Sequence, residues 1–187
     1  MTIQSIQQSA TRILQLMLVG SLIAATPLVA QMSDMDHEKA APAKLVKIVK
    51  DNTTQFINVA NTAAAGYGPA FGCVSGPDHG AMGIHYINGA LVGDGLIDET
   101  TPEALIYEPV GKRLRLVGVE YIVDAATWLA AHDNVPPQLE GQAFQLIASP
   151  NRFGLNPFFE LHVWAWRDNP QGAFVDWNNQ VSCEKGQ

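Results

Sequence analysis

The sequence predicts an α+β fold, with one long N-terminal helix packed on a curved, mostly antiparallel sheet. Three observations predict it. Apolar residues recur at helical spacing over residues 43–65, short strand-like segments follow from residue 82 onward, and no regular strand–helix–strand repetition calls for a parallel sheet. In the helix, Leu45, Ile48, Phe56, Val59 and Ala63 make the apolar face, Lys44, Lys47, Lys50, Asp51 and Asn58 fall elsewhere, and Gly66 supplies the stop. The stretch from Gly66 to Gly83 holds six glycines and two prolines around Cys73 and reads as a long irregular loop.

Strands come next. Met82 to Asn88 is a short strand, Asn88-Gly89 a turn signal, and Ala90 to Val92 its returning partner. Glu103 to Glu108 and Arg113 to Val123 form the clearest hairpin, joined through Pro109-Val110-Gly111-Lys112. Asp124 caps a short helix that runs through Ala131, since Pro136-Pro137 stops anything longer. Phe144 to Ala148 and Phe158 to Trp166 are the last two strands, on either side of the turn-rich Ser149 to Pro157.

Ahead of the helix, residues 1–30 contain Arg12, an apolar run from Ile13 to Ala25 and the segment Thr26-Pro27-Leu28-Val29-Ala30, which is the pattern of a signal peptide. The run falls short of the ~20 residues that span a bilayer, and no later stretch is longer. Residues 31–42 read as a flexible lead-in and 43–187 as a single globular domain. The mature chain is therefore expected in the periplasm or outside the cell, without a membrane span. Both cysteines, Cys73 and Cys183, lie in that part, and a chain exported with two thiols is expected to join them. Across all 187 residues there are 18 acidic and 11 basic side chains, a net charge of −7, which argues against a nucleic-acid partner.

Familiar chemical motifs are missing. Gly66-Tyr-Gly68-Pro-Ala-Phe-Gly72 misses the dinucleotide spacing, Gly72-Cys-Val-Ser75-Gly76 is no nucleophile elbow, and Asp94, Asp98 and Glu99 lack the alternation of a calcium loop. Strand parity is more informative. In an extended strand Glu160, His162, Trp164 and Trp166 share one face, and Phe159, Leu161, Val163 and Ala165 share the other, which suits the helix. In the hairpin, Glu120 is an acid in the row Leu114, Leu116, Gly118, Ile122, and a connecting loop of two or four residues brings Glu103, Leu105 and Tyr107 to the same face. Imidazoles with a carboxylate are the ligand set of zinc and non-haem iron. On this reasoning His79, His85 and His162 are candidate ligands of one divalent transition metal, Glu120 and Glu160 candidate catalytic acids or bases, and Trp164 and Trp166 candidate walls of a ligand pocket. Hydrogen-bonded structural histidines compete with that reading. His132 reads as solvated, and Met32, Met35 and His37 as part of a polar tail rather than a copper site.

Three segments carry a resemblance. Pro102-Glu-Ala-Leu-Ile-Tyr-Glu108, Glu160-Leu-His-Val-Trp-Ala-Trp166 and Asn169-Pro-Gln-Gly-Ala-Phe-Val-Asp-Trp177 resemble segments of a family of uncharacterised exported bacterial proteins. The likeness spans the globular part and brings no activity or functional residues with it. The expectation from the residues is an exported domain with a His/carboxylate pocket that holds a metal and binds or acts on a small molecule. The alternatives are a metal-free binding module for a small apolar or aromatic ligand, and a structural or partner-binding domain.

Overall fold

Residues 44–184 are described by a computed structural model. The predicted signal peptide, the lead-in and the Met32, Met35 and His37 group lie outside the described residues. Helix α1 covers 44–53 and buries Leu45 and Val49. It does not continue to residue 65 as the periodicity predicts. The side chains of Asn52, Thr53 and Thr54 bond back to the carbonyls of Ile48, Val49 and Lys50, and three 3-10 turns follow at Thr54–Ile57, Val59–Asn61 and Ala63–Ala65. Such side chains compete with the backbone of a helix, and Asn58, in an extended conformation, caps the second turn instead of continuing the first.

The sheet contains six antiparallel strands in the order β1-β2-β3-β4-β8-β7 and is curled. These are β1 (Gly68–Gly76), β2 (Gly80–Ile87), β3 (Ala104–Val110), β4 (Arg113–Asp124), β7 (Gln145–Ile147) and β8 (Phe158–Val163), while β5 (Gln138–Leu139) and β6 (Gln142–Ala143) pair separately. The glycine-rich stretch is thus mostly strand, where a loop was expected. Its irregularity appears as register shifts in β1, with Phe71 and Gly72 at φ 60° and 65°, a backbone that an edge strand tolerates. Ala90 to Val92 is likewise no strand. Asn88 accepts hydrogen bonds from the amides of Ala90 and Leu91 and starts the short helix α2 (Gly89–Val92). Asp124 caps α3 (Ala125–Ala131) through Thr127, as expected.

One face of the sheet carries Leu105, Tyr107, Leu116, Val119, Tyr121, Phe159, Leu161 and Val163 and packs against α1, with Ala125 of α3 in the same cluster. Burying each large apolar side chain is worth roughly 1.5–3 kcal/mol, so this layer is the main core. Tyrosine hydroxyls satisfy its edges: Tyr107 donates to the carbonyl of Phe56 and Tyr121 to that of Glu99, both at 2.7 Å.

The other face is covered by the chain after β8. Asn178 bridges to Ala81 on β2, the Ser182 amide donates to the buried Glu108 carboxylate, and Cys183 is joined to Cys73 with the Cα atoms 5.7 Å apart. Among the described residues no helix is long and apolar enough to cross a membrane.

Two parity expectations need correction. The hairpin turn has two residues, with Val110 paired to Arg113, but a bulge changes the register from Tyr107–Leu116 to Ile106–Gly118. Val117 is the extra residue and packs beside Ile106, so Leu114, Leu116, Leu105 and Tyr107 belong to the core face while Glu120 and Ile122 face the other way. Strand β8 also stops at Val163, and the Ala165 amide bonds to the Val163 carbonyl. Trp164 therefore stays on the second face, whereas Trp166 reaches the core side and donates to Thr53 Oγ1 at 3.0 Å.

Candidate metal centre

The second face brings chemistry-bearing side chains into an otherwise apolar layer. His85 on β2 and Glu120 on β4 are separated by β3, yet His85 Nε2 lies 3.3 Å from Glu120 Oε2. On β3 between them, Ile106 is paired with His85 and the small Ala104 with Glu120, and Gly118, opposite Ile106, carries no side chain. On the next strand His162 stands opposite Glu120, and Glu160 stands opposite Ile122. Glu120 and Glu160 are hydrogen-bonded to each other. All four residues are buried, His162 to 1% exposure.

Asp176, from the covering segment, closes the cluster. Its Oδ1 lies 3.8 Å from His162 Nδ1, and its Oδ2 accepts a hydrogen bond from Gln145 on β7 at 3.2 Å. Two sets of ligand atoms result, His85–Glu120–His162 and Glu160–His162–Asp176, each with its members within 4.8 Å of one another. Both ring nitrogens of His162 are buried without a hydrogen-bond partner. That is a costly arrangement for an imidazole, which ordinarily offers one donor and one acceptor to neighbours.

Burial sets the protonation states. It lowers His162 to about 3, helped by the neighbouring His85, and lowers His85 to about 4 against a backbone hydrogen bond at Gly83. The same desolvation raises Glu160 to about 7, opposed by the hydrogen bond from Glu120. Glu120 is raised by burial and then by the charge of Glu160, and Asp176 by burial against its bond to Gln145. At neutral pH the imidazoles are uncharged, and burial favours the protonated form of both glutamates. The His85–Glu120 contact is accordingly not an ion pair, and neutral imidazoles are the form that binds metals.

Two openings reach the cluster. A small pocket of about 30 Å³ has His85 and Glu120 at its base and walls of Phe71, Ile87, Ile122, Phe153, Leu155 and Phe158. A second cleft of about 370 Å³ is lined by Asp176, Gln145, Gln171 and His79 together with the apolar Phe174, Val175 and Trp177. A larger cleft of about 430 Å³ beside Trp166 is lined by no carboxylate or imidazole.

Of the residues singled out from sequence, His85, His162, Glu120 and Glu160 come together, with Trp164 alongside, its ring centroid 6.2 Å from that of His162. His79 belongs to neither ligand set. It is exposed in the β1–β2 turn, 6.3 Å from the Trp177 ring. Trp166 is on the opposite face. Glu103 is buried apart from the cluster and accepts the Ile122 amide at 2.9 Å. His132 is exposed and stacks on Trp128. Sequence reasoning missed Asp176 and Gln145. Asp176 lies in an irregular segment where no strand parity assigns it a face, and it reaches the site through the Asn178 bridge and the disulfide.

No protein-family model, curated protein or solved structure matches the chain.

Proposed function

We propose that this is an exported protein whose His85, Glu120 and His162 hold one divalent transition metal ion, zinc or iron, and that the bound ion meets a small uncharged molecule at the base of the apolar pocket. The observation that carries the reading is His162, fully buried with two unpartnered nitrogens inside a set of metal-type ligands. The 3.3 Å between His85 Nε2 and Glu120 Oε2 also supports it, since ligands ~2.0–2.1 Å from a tetrahedral ion stand ~3.3 Å apart. Such an ion supplies Lewis acidity, polarising a substrate or lowering the pKa of bound water.

The residues around it divide the remaining work. Glu160, hydrogen-bonded to Glu120 and raised to about 7, holds a proton beside the reacting position and can give or take it near neutral pH. Phe71, Phe153 and Leu155 give the opening apolar walls that offer nothing to a charged ligand, which restricts the substrate's reacting end to a small neutral group. The predicted signal segment, the resemblance to exported proteins and the joined cysteines support export.

Elemental analysis of the protein purified from the exported fraction tests the reading. Wild type and His79→Ala should carry metal, and His162→Ala should lose it. The walls of the small pocket favour one competing reading, a metal-free module for a small apolar ligand. Wild-type protein that carries no metal and takes up none on dialysis against zinc or iron(II) would overturn the metal reading, and saturable uptake of a small apolar ligand would then establish the alternative.

A further inference from the structure

We infer that His162 bridges two divalent cations through its two ring nitrogens, the second ion being held by Glu160 and Asp176 on the side of the cleft that Asp176 lines. The inference rests on the metal reading above and extends it, with one change: a Glu160 that holds the second ion has released its proton and acts as a ligand. A single ion at His85 and Glu120 satisfies one nitrogen of His162 and leaves the other buried and unpaired, whereas both are without a partner in the fold. The second ligand set, Glu160–His162–Asp176, shares only His162 with the first.

The distance on that side suits an ion better than a hydrogen bond. His162 Nδ1 and Asp176 Oδ1 are 3.8 Å apart, beyond hydrogen-bonding range but inside the ~4.1 Å that an ion bound at ~2.0–2.1 Å to each can span. With Nδ1 assigned to the Asp176 side, Nε2 is the nitrogen that serves the His85–Glu120 ion on this inference. Charge counting agrees. Two dications bring four positive charges, and Glu120, Glu160, Asp176 and a His162 imidazolate bring four negative ones, so the buried centre is neutral when doubly loaded. The imidazole N–H proton and any proton held between the glutamates pass to solvent as the ions enter. Asp176, the most exposed of these ligands, lines the cleft through which the second ion arrives.

The test is zinc stoichiometry on the whole exported protein, stripped with chelator, reloaded with Zn²⁺ and freed of excess. Wild type and His79→Ala should bind two ions per chain, and Asp176→Asn one. The same samples loaded with Cu²⁺ give a readout on wild type alone: exchange coupling through a bridging imidazolate should remove most of the low-temperature EPR signal, and Asp176→Asn should restore that of one isolated ion. Wild type that binds a single zinc overturns the bridge and leaves the single-metal function standing, with Asp176 then serving to accept the Nδ1–H. Two ions with a full, uncoupled copper signal, or loss of one ion in His79→Ala, also overturns it by placing the second ion elsewhere. Wild type that binds no zinc and no copper overturns the inference, and if it takes up no iron(II) either, the proposed function falls with it.

Discussion

Glu120 on β4 stands directly opposite His162 on β8, and their side chains rise from the face of the sheet turned away from the helix. Glu120 is on that face because Val117 is an extra residue in β4. Without the bulge, the two-residue turn would set Glu103 opposite Glu120, whereas the observed register sets Ala104 there. One inserted residue thus separates two buried acids and puts the small Ala104 beside Glu120.

Gly118 is the position where this arrangement is most sensitive to volume. A Cβ built there lies 2.8 Å from the Val163 carbonyl oxygen, and backbone on a central strand cannot step aside cheaply. Gly118→Ala should lower stability by about 1–3 kcal/mol and weaken metal binding by displacing β8 from β4. Gly89, at the start of α2, has open space around it, and Gly89→Ala should be neutral or stabilise by about 0.4–1 kcal/mol. Urea unfolding midpoints of the two variants against wild type check both expectations.

The disulfide fastens the covering segment that carries Asp176. It closes a loop with a sequence separation of 110 residues, and removing such a bond costs about 2–5 kcal/mol. Unreduced, denatured protein should titrate with no free thiol from Cys73 or Cys183, and reduction should expose both. The Cys73→Ser, Cys183→Ser double variant should unfold at a clearly lower urea concentration.

Glu103 makes stability depend on pH. Burial raises it to about 7 against the amide bond it receives from Ile122, so the folded state binds its proton more tightly than the unfolded chain does. Stability from this group is complete below the unfolded carboxylate pKa and is lost as pH rises toward 7. Glu103→Gln keeps an acceptor for Ile122 and cannot ionise. It should match wild type near pH 4 and exceed it above pH 7 by up to roughly 3 kcal/mol, measured on metal-free protein. Equal pH dependence in the two proteins would refute this.

The buried histidines act in the opposite direction. His85 and His162 are lowered to about 4 and 3, so the unfolded chain binds their protons first, and metal-free protein should lose stability as pH falls from about 6.5 toward 3. His162→Gln should flatten that acid limb, which denaturant titrations at a series of pH values would show.

The two tryptophans near the end of β8 should separate cleanly. Trp166→Phe loses the bond to Thr53 at the end of α1 and should cost about 0.5–1.5 kcal/mol while leaving metal content unchanged. Trp164→Phe loses the bond from its indole to the Val175 carbonyl, next to Asp176, and should weaken metal retention. Unfolding curves and elemental analysis on the same samples distinguish the outcomes.

The sequence by itself determined the α+β class, the hairpin of Glu103–Glu108 with Arg113–Val123, a strand starting at Phe158, the capped helix after Asp124, the pairing of Cys73 with Cys183 and the oddity of Glu120 and His162 among apolar neighbours. Each rests on short-range periodicity, on local capping or, for the disulfide, on a count of two. Tertiary structure alone decided the length of α1, the strand character of the glycine-rich stretch, the bulge at Val117, the side on which Trp166 lies and the arrival of Asp176. A bulge or an early strand end reverses side-chain parity without altering composition, and a covering segment is positioned by partners up to 110 residues away. Sequence periodicity records neither, because both are settled by which backbone groups find hydrogen bonds once the sheet has assembled.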